Sequence, residues 1–210
     1  MTEGPLKTAL IAHLTRSGVL KSSAIVQALE KVDRADFLPE HLQSLAYEDT
    51  ALPIGEGQTI SQPYTVVFML EQLQVRPGDR VLEIGYGSGW QTALLAHLVG
   101  SSGRVYAFEI LSSLCEQGKV HLEKYPDLMR RVHLFCRSGE KGYAEEAPFD
   151  RIIAAAEVAD VPAAWRKQLL PTGRMIYPKD GALVAEVKRH DGSFDITIFP
   201  GFAFVPFITD

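Results

Sequence analysis

Residues 81–90, VLEIGYGSGW, constrain this chain more than any other stretch. An apolar run of strand character passes directly into Gly85, Gly87 and Gly89, and Trp90 opens a helical pattern. Glycines at such a corner remove the side chains that would keep a ligand off the backbone, and the helix start behind them offers unpaired main-chain N–H groups. Two common phosphate-binding patterns fail. A GxGxxG fingerprint from Gly85 would need glycine at Trp90, one from Gly87 would need it at Thr92, and no GK[ST] follows for a P-loop. A tight turn with no ligand is the plain alternative.

Downstream of Arg80, short apolar runs alternate with helical segments. Strands are expected at 80–84, 105–109, 132–136, 151–156 and 174–177. Helices are expected from near Trp90, Ser112, Glu140 and Asp160, the last with Asp160 as N-cap and Pro162 early in the helix. Alternating β and α units fold as a parallel sheet covered on both faces. Leu183, Ala185 and Val187 then alternate with polar residues, and Ile196, Ile198 and Phe199 follow the turn 190–193, which reads as an antiparallel hairpin. The fold class is therefore α/β: a Rossmann-like, doubly wound, mostly parallel seven-stranded sheet with an antiparallel C-terminal hairpin and an N-terminal helical lead-in.

In that lead-in, Ser22 and Ser23 offer N-caps to a helical stripe of Ile25, Ala28, Leu29 and Val32. Val66, Met69, Leu70 and Leu73 form another, ended by Pro77 and Gly78. Between them, 47–63 (YEDTALPIGEGQTISQP) is too long and too punctuated by glycine and proline for a strand or helix. Loops of that length inside a compact domain are usually functional or disordered. One compact domain is expected, with 1–75 as helical segment and substrate loop and 76–210 as the cofactor-binding α/β core.

Composition narrows the partners. Of 210 residues, 46% are apolar and 22% charged, enough for a core. Lys plus Arg total 21 against 26 Asp plus Glu, a net charge of −5, and no basic run exceeds Arg130-Arg131, which argues against nucleic acid. No stretch approaches the ~20 apolar residues of a membrane span, and Glu3 stands where a secretory leader wants cations. The expectation is a soluble, cytoplasmic protein with no membrane partner. Cys115 and Cys136 lack CxxC spacing and are expected as reduced, mostly buried thiols rather than a disulfide framework or zinc cluster. The six histidines show no metal spacing, so no metal is expected. The aromatic tail Phe199, Phe202, Phe204 and Phe207 is expected as core and rim packing.

Glu83 precedes the glycines, and a second acid, Glu109, ends the next strand. A carboxylate there suits a ribose diol because it accepts from both hydroxyls. The pattern resembles the S-adenosylmethionine site of class I methyltransferases. Upstream, AYED at 46–49 and LPIGEGQTISQPY at 52–64 resemble the signature of the protein-L-isoaspartate O-methyltransferase family. The likeness extends from Val32-Asp33-Arg34 and Phe37-Leu38-Pro39 through GYAEEAPFD at 142–150 and LPTGR at 170–174 to Phe204-Val205-Pro206.

That resemblance implies methyl transfer from S-adenosylmethionine to the α-carboxylate of isoaspartyl residues in damaged proteins and peptides, leaving S-adenosylhomocysteine, by a monomer. It implies Ser61 as the active-site residue between cofactor and substrate. Gly57, Gln58, Thr59, Glu83, Gly85, Gly87, Gly89 and Gln91 would meet the cofactor, Glu109 the ribose, and Ser138 and Gly139 the adenine. Ile54, Ile60, Ser61, Val205 and Pro206 would meet the substrate. The chemistry agrees: the acceptor carboxylate, with a pKa near ~3.9, is ionised at neutral pH and needs no general base, so a neutral hydroxyl at Ser61 orients it without suppressing its nucleophilicity. Ser61 as a mere cap of a helix from Pro63 is the plainer reading. The chain departs from the family's pattern at Arg137-Ser138-Gly139 (usually GDG), Tyr86, Trp90, Ala155 and Glu157. Those departures bear on cofactor affinity and leave open a different carboxylate acceptor or a non-catalytic binder.

Overall fold

In the computed structural model, which describes residues 3–209, the chain begins with α1 (Glu3–Arg16) and α2 (Ser23–Lys31). The Ser22 side chain makes no cap bond. Instead the main-chain N–H groups of Lys21 and Ser22 donate to Glu71 Oε1 at 2.8 and 2.7 Å. Glu71 lies on α3 (Pro63–Leu73), so the start of α2 is tied to a neighbouring helix rather than to itself. The expectation of no strand in 47–63 is corrected. β1 (Leu52–Gly55) and β2 (Gln58–Ile60) pair antiparallel across a turn at Glu56-Gly57. Alternate residues Leu52, Ile54 and Ile60 are buried, which fixes the hairpin despite its length.

The main sheet has seven strands in the order β5-β4-β3-β6-β7-β8-β9. These are β3 (Arg80–Ile84), β4 (Arg104–Glu109), β5 (Val132–Cys136), β6 (Phe149–Ala154), β7 (Leu169–Lys179), β8 (Ala182–Lys188) and β9 (Phe194–Pro200). Strands β3 to β7 pair in parallel and β8 and β9 antiparallel. The apolar runs are continuous because helices cover both faces. Val81 enters one core cluster, with Leu14, Leu70 and Leu94, whereas Leu82 and Ile84 enter the other, with Phe108, Phe149 and Trp165. After β3 the chain runs outward through β4 and β5, then returns to β6 on the other side of β3. That reversal leaves a crevice at the carboxyl ends of the central strands.

Helices α4 (Trp90–Leu98) and α5 (Ser112–Glu123) start where expected, and α6 (Pro126–Met129) is an unexpected short turn. No helix forms at Glu140. That stretch is held as a loop, with Tyr143 N–H donating to Gln168 Oε1 at 2.7 Å and Trp165 Nε1 to Gly139 O at 3.0 Å. Nor does Asp160 cap a helix: α7 (Ala163–Gln168) starts after Pro162, and the Asp160 carboxylate accepts from Lys179 Nζ at 2.9 Å. The thiol expectation is also corrected. Cys115 on α5 and Cys136 at the end of β5 form a disulfide, with Cα atoms 5.7 Å apart. The parallel register brings the β5 terminus beside Glu109, six residues before Cys115, which sequence separation alone does not reveal. No described helix is long and apolar enough to cross a membrane.

Candidate active site

The three glycines of the β3–α4 turn all adopt left-handed backbone, φ +82° at Gly85, +48° at Gly87 and +88° at Gly89, a conformation costly for other residues. A Cβ on Gly85 would meet only Ala155, at 3.9 Å, and one on Gly87 would lie 3.3 Å from Ile54 Cδ1 of the β1–β2 hairpin. The turn therefore forms the floor of a cavity that the hairpin roofs. His121 Nδ1, on α5, donates to Ser88 O at 2.9 Å and holds the turn from behind.

The cavity is lined by twelve of the residues expected at the site: Ile54, Gln58, Thr59, Ile60, Ser61, Gly85, Gly87, Gln91, Glu109, Gly139, Val205 and Pro206. Gly57, Glu83, Gly89 and Ser138 stand outside its lining. Gly57 is at the hairpin turn. Gly89 caps α4 and packs against Leu122. The Ser138 hydroxyl accepts from Glu140 N–H at 3.3 Å. Glu83 is fully buried, and Gln91 Nε2 donates to its Oε1 at 3.0 Å. Burial pushes the Glu83 carboxyl up to about 7, opposed by Thr92 and Gln91 and reinforced by Glu109. Glu83 thus orients Gln91, which does face the cavity.

Glu109 Oε1 accepts from Ile110 and Leu111 N–H at 2.8 and 3.0 Å, and Oε2 from Gly87 N–H at 3.0 Å. A carboxylate has about four acceptor sites, so this one keeps room for a hydroxyl while its orientation is fixed by main chain. The open floor, this carboxylate and the apolar wall of Ile84 and Phe108 beside Gly139 suit a nucleoside with its ribose at Glu109. Tyr86 fits its departure from the pattern by packing against Gly118, where any Cβ would come within 2.8 Å of the ring, and by donating to Cys115 O at 3.3 Å.

Ser61 lies across the cavity from the turn, and its hydroxyl has no hydrogen-bond partner among the described residues. It caps nothing. The N-cap of α3 is Gln62, and Asp49 Oδ1 instead accepts from Tyr64 N–H at 2.8 Å.

The residue that composes this region is Arg34, only 2% exposed. Its Nη1 donates to Ala46 O at 2.9 Å and Glu48 O at 3.3 Å, and its Nη2 to Thr50 O at 2.9 Å and Ser61 O at 3.1 Å. The guanidinium also lies 5.2 Å from the centre of the Trp90 ring. Burial lowers its pKa to about 10, with Asp49 opposing the fall. Sequence reasoning placed Arg34 in a motif without a role, because a lone cation gives no sign of which carbonyls it will gather. Arg137 was likewise unassigned. It lines the cavity, its guanidinium 5.3 to 5.6 Å from the ring centres of Phe135, Phe108 and Tyr143.

A further wall comes from residues 205–208. Glu157 N–H donates to Val205 O and Phe207 N–H to Glu157 O, each at 2.8 Å, which pins 205–207 beside the end of β6. The Glu157 carboxylate accepts from Gly181 N–H at 3.1 Å, so this departure serves the β7–β8 turn.

A structure from Plasmodium falciparum, described as a protein-L-isoaspartate O-methyltransferase beta-aspartate methyltransferase in complex with S-adenosyl-L-homocysteine, superposes with a TM-score of 0.86 over 96% of this chain and 98% of that one, at 22% identity, which establishes the likeness of fold. A second solved protein-L-isoaspartate O-methyltransferase is 29% identical, with a TM-score of 0.86 over 95% of this chain and 65% of that one. Among sequences, the protein-L-isoaspartate O-methyltransferase of Ignicoccus hospitalis is 40% identical over 97% of this chain and 98% of its own length. That of Methanothrix thermoacetophila is 42% identical over 89% of both. The family model described as protein-L-isoaspartate(D-aspartate) O-methyltransferase matches residues 6–210. With the glycine turn, the ribose-suited acid and the serine-bearing hairpin around one cavity, and this match along nearly its whole length, the chain belongs to the protein-L-isoaspartate(D-aspartate) O-methyltransferase family.

Proposed function

We propose that this chain methylates the α-carboxylate of L-isoaspartyl residues in damaged proteins and peptides, using S-adenosylmethionine. The observation that carries the reading is Ser61, whose uncommitted hydroxyl lines the same cavity as the glycine turn and Glu109. S-adenosylmethionine supplies, when bound, a methyl group already activated by its sulfonium. The protein's part is placement. Gly85, Gly87, Gln91 and Glu109 hold the donor side, and Gln58 and Thr59 close over it from the hairpin. Ser61 donates to one oxygen of the acceptor carboxylate, whose other oxygen stays free to attack in line. Ile54, Ile60, Val205 and Pro206 flank the acceptor and keep water out. In this reading 1–75 presents the substrate loop and 76–210 the cofactor core, and the chain acts as a monomer in the cytoplasm.

The test is a matched pair of peptides, one isoaspartyl and one aspartyl, incubated with methyl-labelled cofactor. Base-labile label is expected on the isoaspartyl peptide alone; label on neither, with cofactor binding intact by calorimetry, overturns the proposal. Ser61→Ala is expected to lower kcat by about tenfold, the worth of one hydrogen bond of about 1.4 kcal/mol, while cofactor affinity stays within about twofold.

A further inference from the structure

A second depression adjoins the cavity and is absorbed by none of the roles above. It is a groove of about 980 Å³ between α3 and the chain after β9, and it shares Thr59, Ser61, Ala155 and Val205 with the cavity. Its walls combine an aromatic and aliphatic cluster with the neutral polar groups of Thr59, Ser61, Gln62, Tyr64 and Thr65. Phe68 lies 5.0 Å from the ring centres of both Phe199 and Phe202, and Ile198 stands on the lip, 63% exposed. Among its lining residues there is no Lys, Arg, His, Asp or Glu. The surface of a protein with net charge −5 is here locally uncharged, directly beside Ser61.

From this we infer that the groove is a subsite for the substrate polypeptide: it takes an aromatic or large aliphatic side chain within a few residues of the isoaspartyl residue. The inference rests on the proposed function. Its occupant follows from continuity, since a chain threaded past Ser61 and Val205 enters the groove directly. Its chemistry follows from the walls, because an apolar side chain buries surface against Phe68, Phe199 and Phe202, whereas a charge would shed hydration and find no counter-ion. The client class is then specific. Lesions flanked by apolar residues, the kind of segment a folded protein buries and exposes when it unravels, are preferred over lesions in charged surface loops.

The experiment is a steady-state comparison on two series of isoaspartyl hexapeptides. Each places Phe, Leu, Ser, Lys or Asp on one side of the isoaspartyl residue, within two positions of it. In at least one series kcat/KM for Phe is expected to exceed that for Asp by about tenfold or more, mostly through KM. Ile198→Glu, on the exposed lip, and Phe202→Ala are each expected to compress that ratio to below about threefold while leaving the Ser peptide unchanged. Ile198→Glu is also expected to raise kcat/KM for the Lys peptide. Equal kcat/KM across both series, or a preference that survives both variants, overturns the subsite. So does a dimer by sedimentation that Ile198→Glu dissociates with no change in peptide profile, since the groove would then hold a second copy. If no isoaspartyl peptide is methylated at all, the transfer reaction fails and the subsite with it.

Discussion

Arg34 gathers four carbonyl oxygens that no other side chain reaches. Arg34→Ala is expected to lower stability by about 3 kcal/mol in urea titrations, since it empties a buried site and strips the buried Ala46 carbonyl, and three less buried ones, of their donor. Arg34→Lys, which keeps the charge but loses the planar fork, should recover only part of that. A loss of under about 1 kcal/mol for Arg34→Ala would show that water replaces the guanidinium. Glu83 gives a prediction in pH. Its folded pKa, about 7, lies above the unfolded 4.5. The folded state therefore binds the extra proton, and the associated stability is fully present below pH 4.5 and lost as pH rises to about 7. Unfolding free energy of the wild type relative to Glu83→Gln should fall across that window by about 3 kcal/mol; parallel curves would contradict it.

Between elements, the Cys115–Cys136 disulfide ties α5 to β5 beside Arg137 and Gly139. With 21 residues of separation, closing this loop is worth about 3 kcal/mol. Cys136→Ser, or wild type in excess dithiothreitol, should lose about that much, and a thiol count on the unfolded, unreduced protein should read zero. Element by element, legibility followed the length and continuity of the apolar run. Strand β3 was readable to the residue because its apolar run is buried on both faces, and the edge strand β5 because its short apolar run lies between a helix end and the loop at Arg137. The β1–β2 hairpin escaped because its pairing spans three or four residues and its Gly and Pro read as punctuation. The disulfide escaped because only the parallel pairing of β4 with β5 brings its ends together. The glycine turn was legible since its left-handed backbone demands glycine, and Glu109 since an acid ending the neighbouring strand falls beside that turn. Glu83 and Ser138 stand outside the cavity lining, because burial within β3, and a loop's own hydrogen bond to Glu140, decide which way their side chains face.

Across the whole molecule, the net charge of −5 meets a substrate that is itself an anion. Repulsion of that kind is screened within about 10 Å at 0.1 M salt, so kcat/KM for an acidic isoaspartyl peptide should rise about two- to threefold from 10 to 150 mM salt, with a neutral one unchanged. A fall for both would reveal local cationic steering by residues such as Arg137. The same global view gives meaning to the pinning of 205–207 by Glu157. Ser61 is made before any strand of the main sheet, and Val205 after all of them. A ribosome delivers the serine before the sheet and Val205 after it, so a nascent chain holds half a site until every strand of the sheet has been made. An enzyme of repair built this way cannot begin to act on other polypeptides, or on its own emerging one, before its sheet is whole.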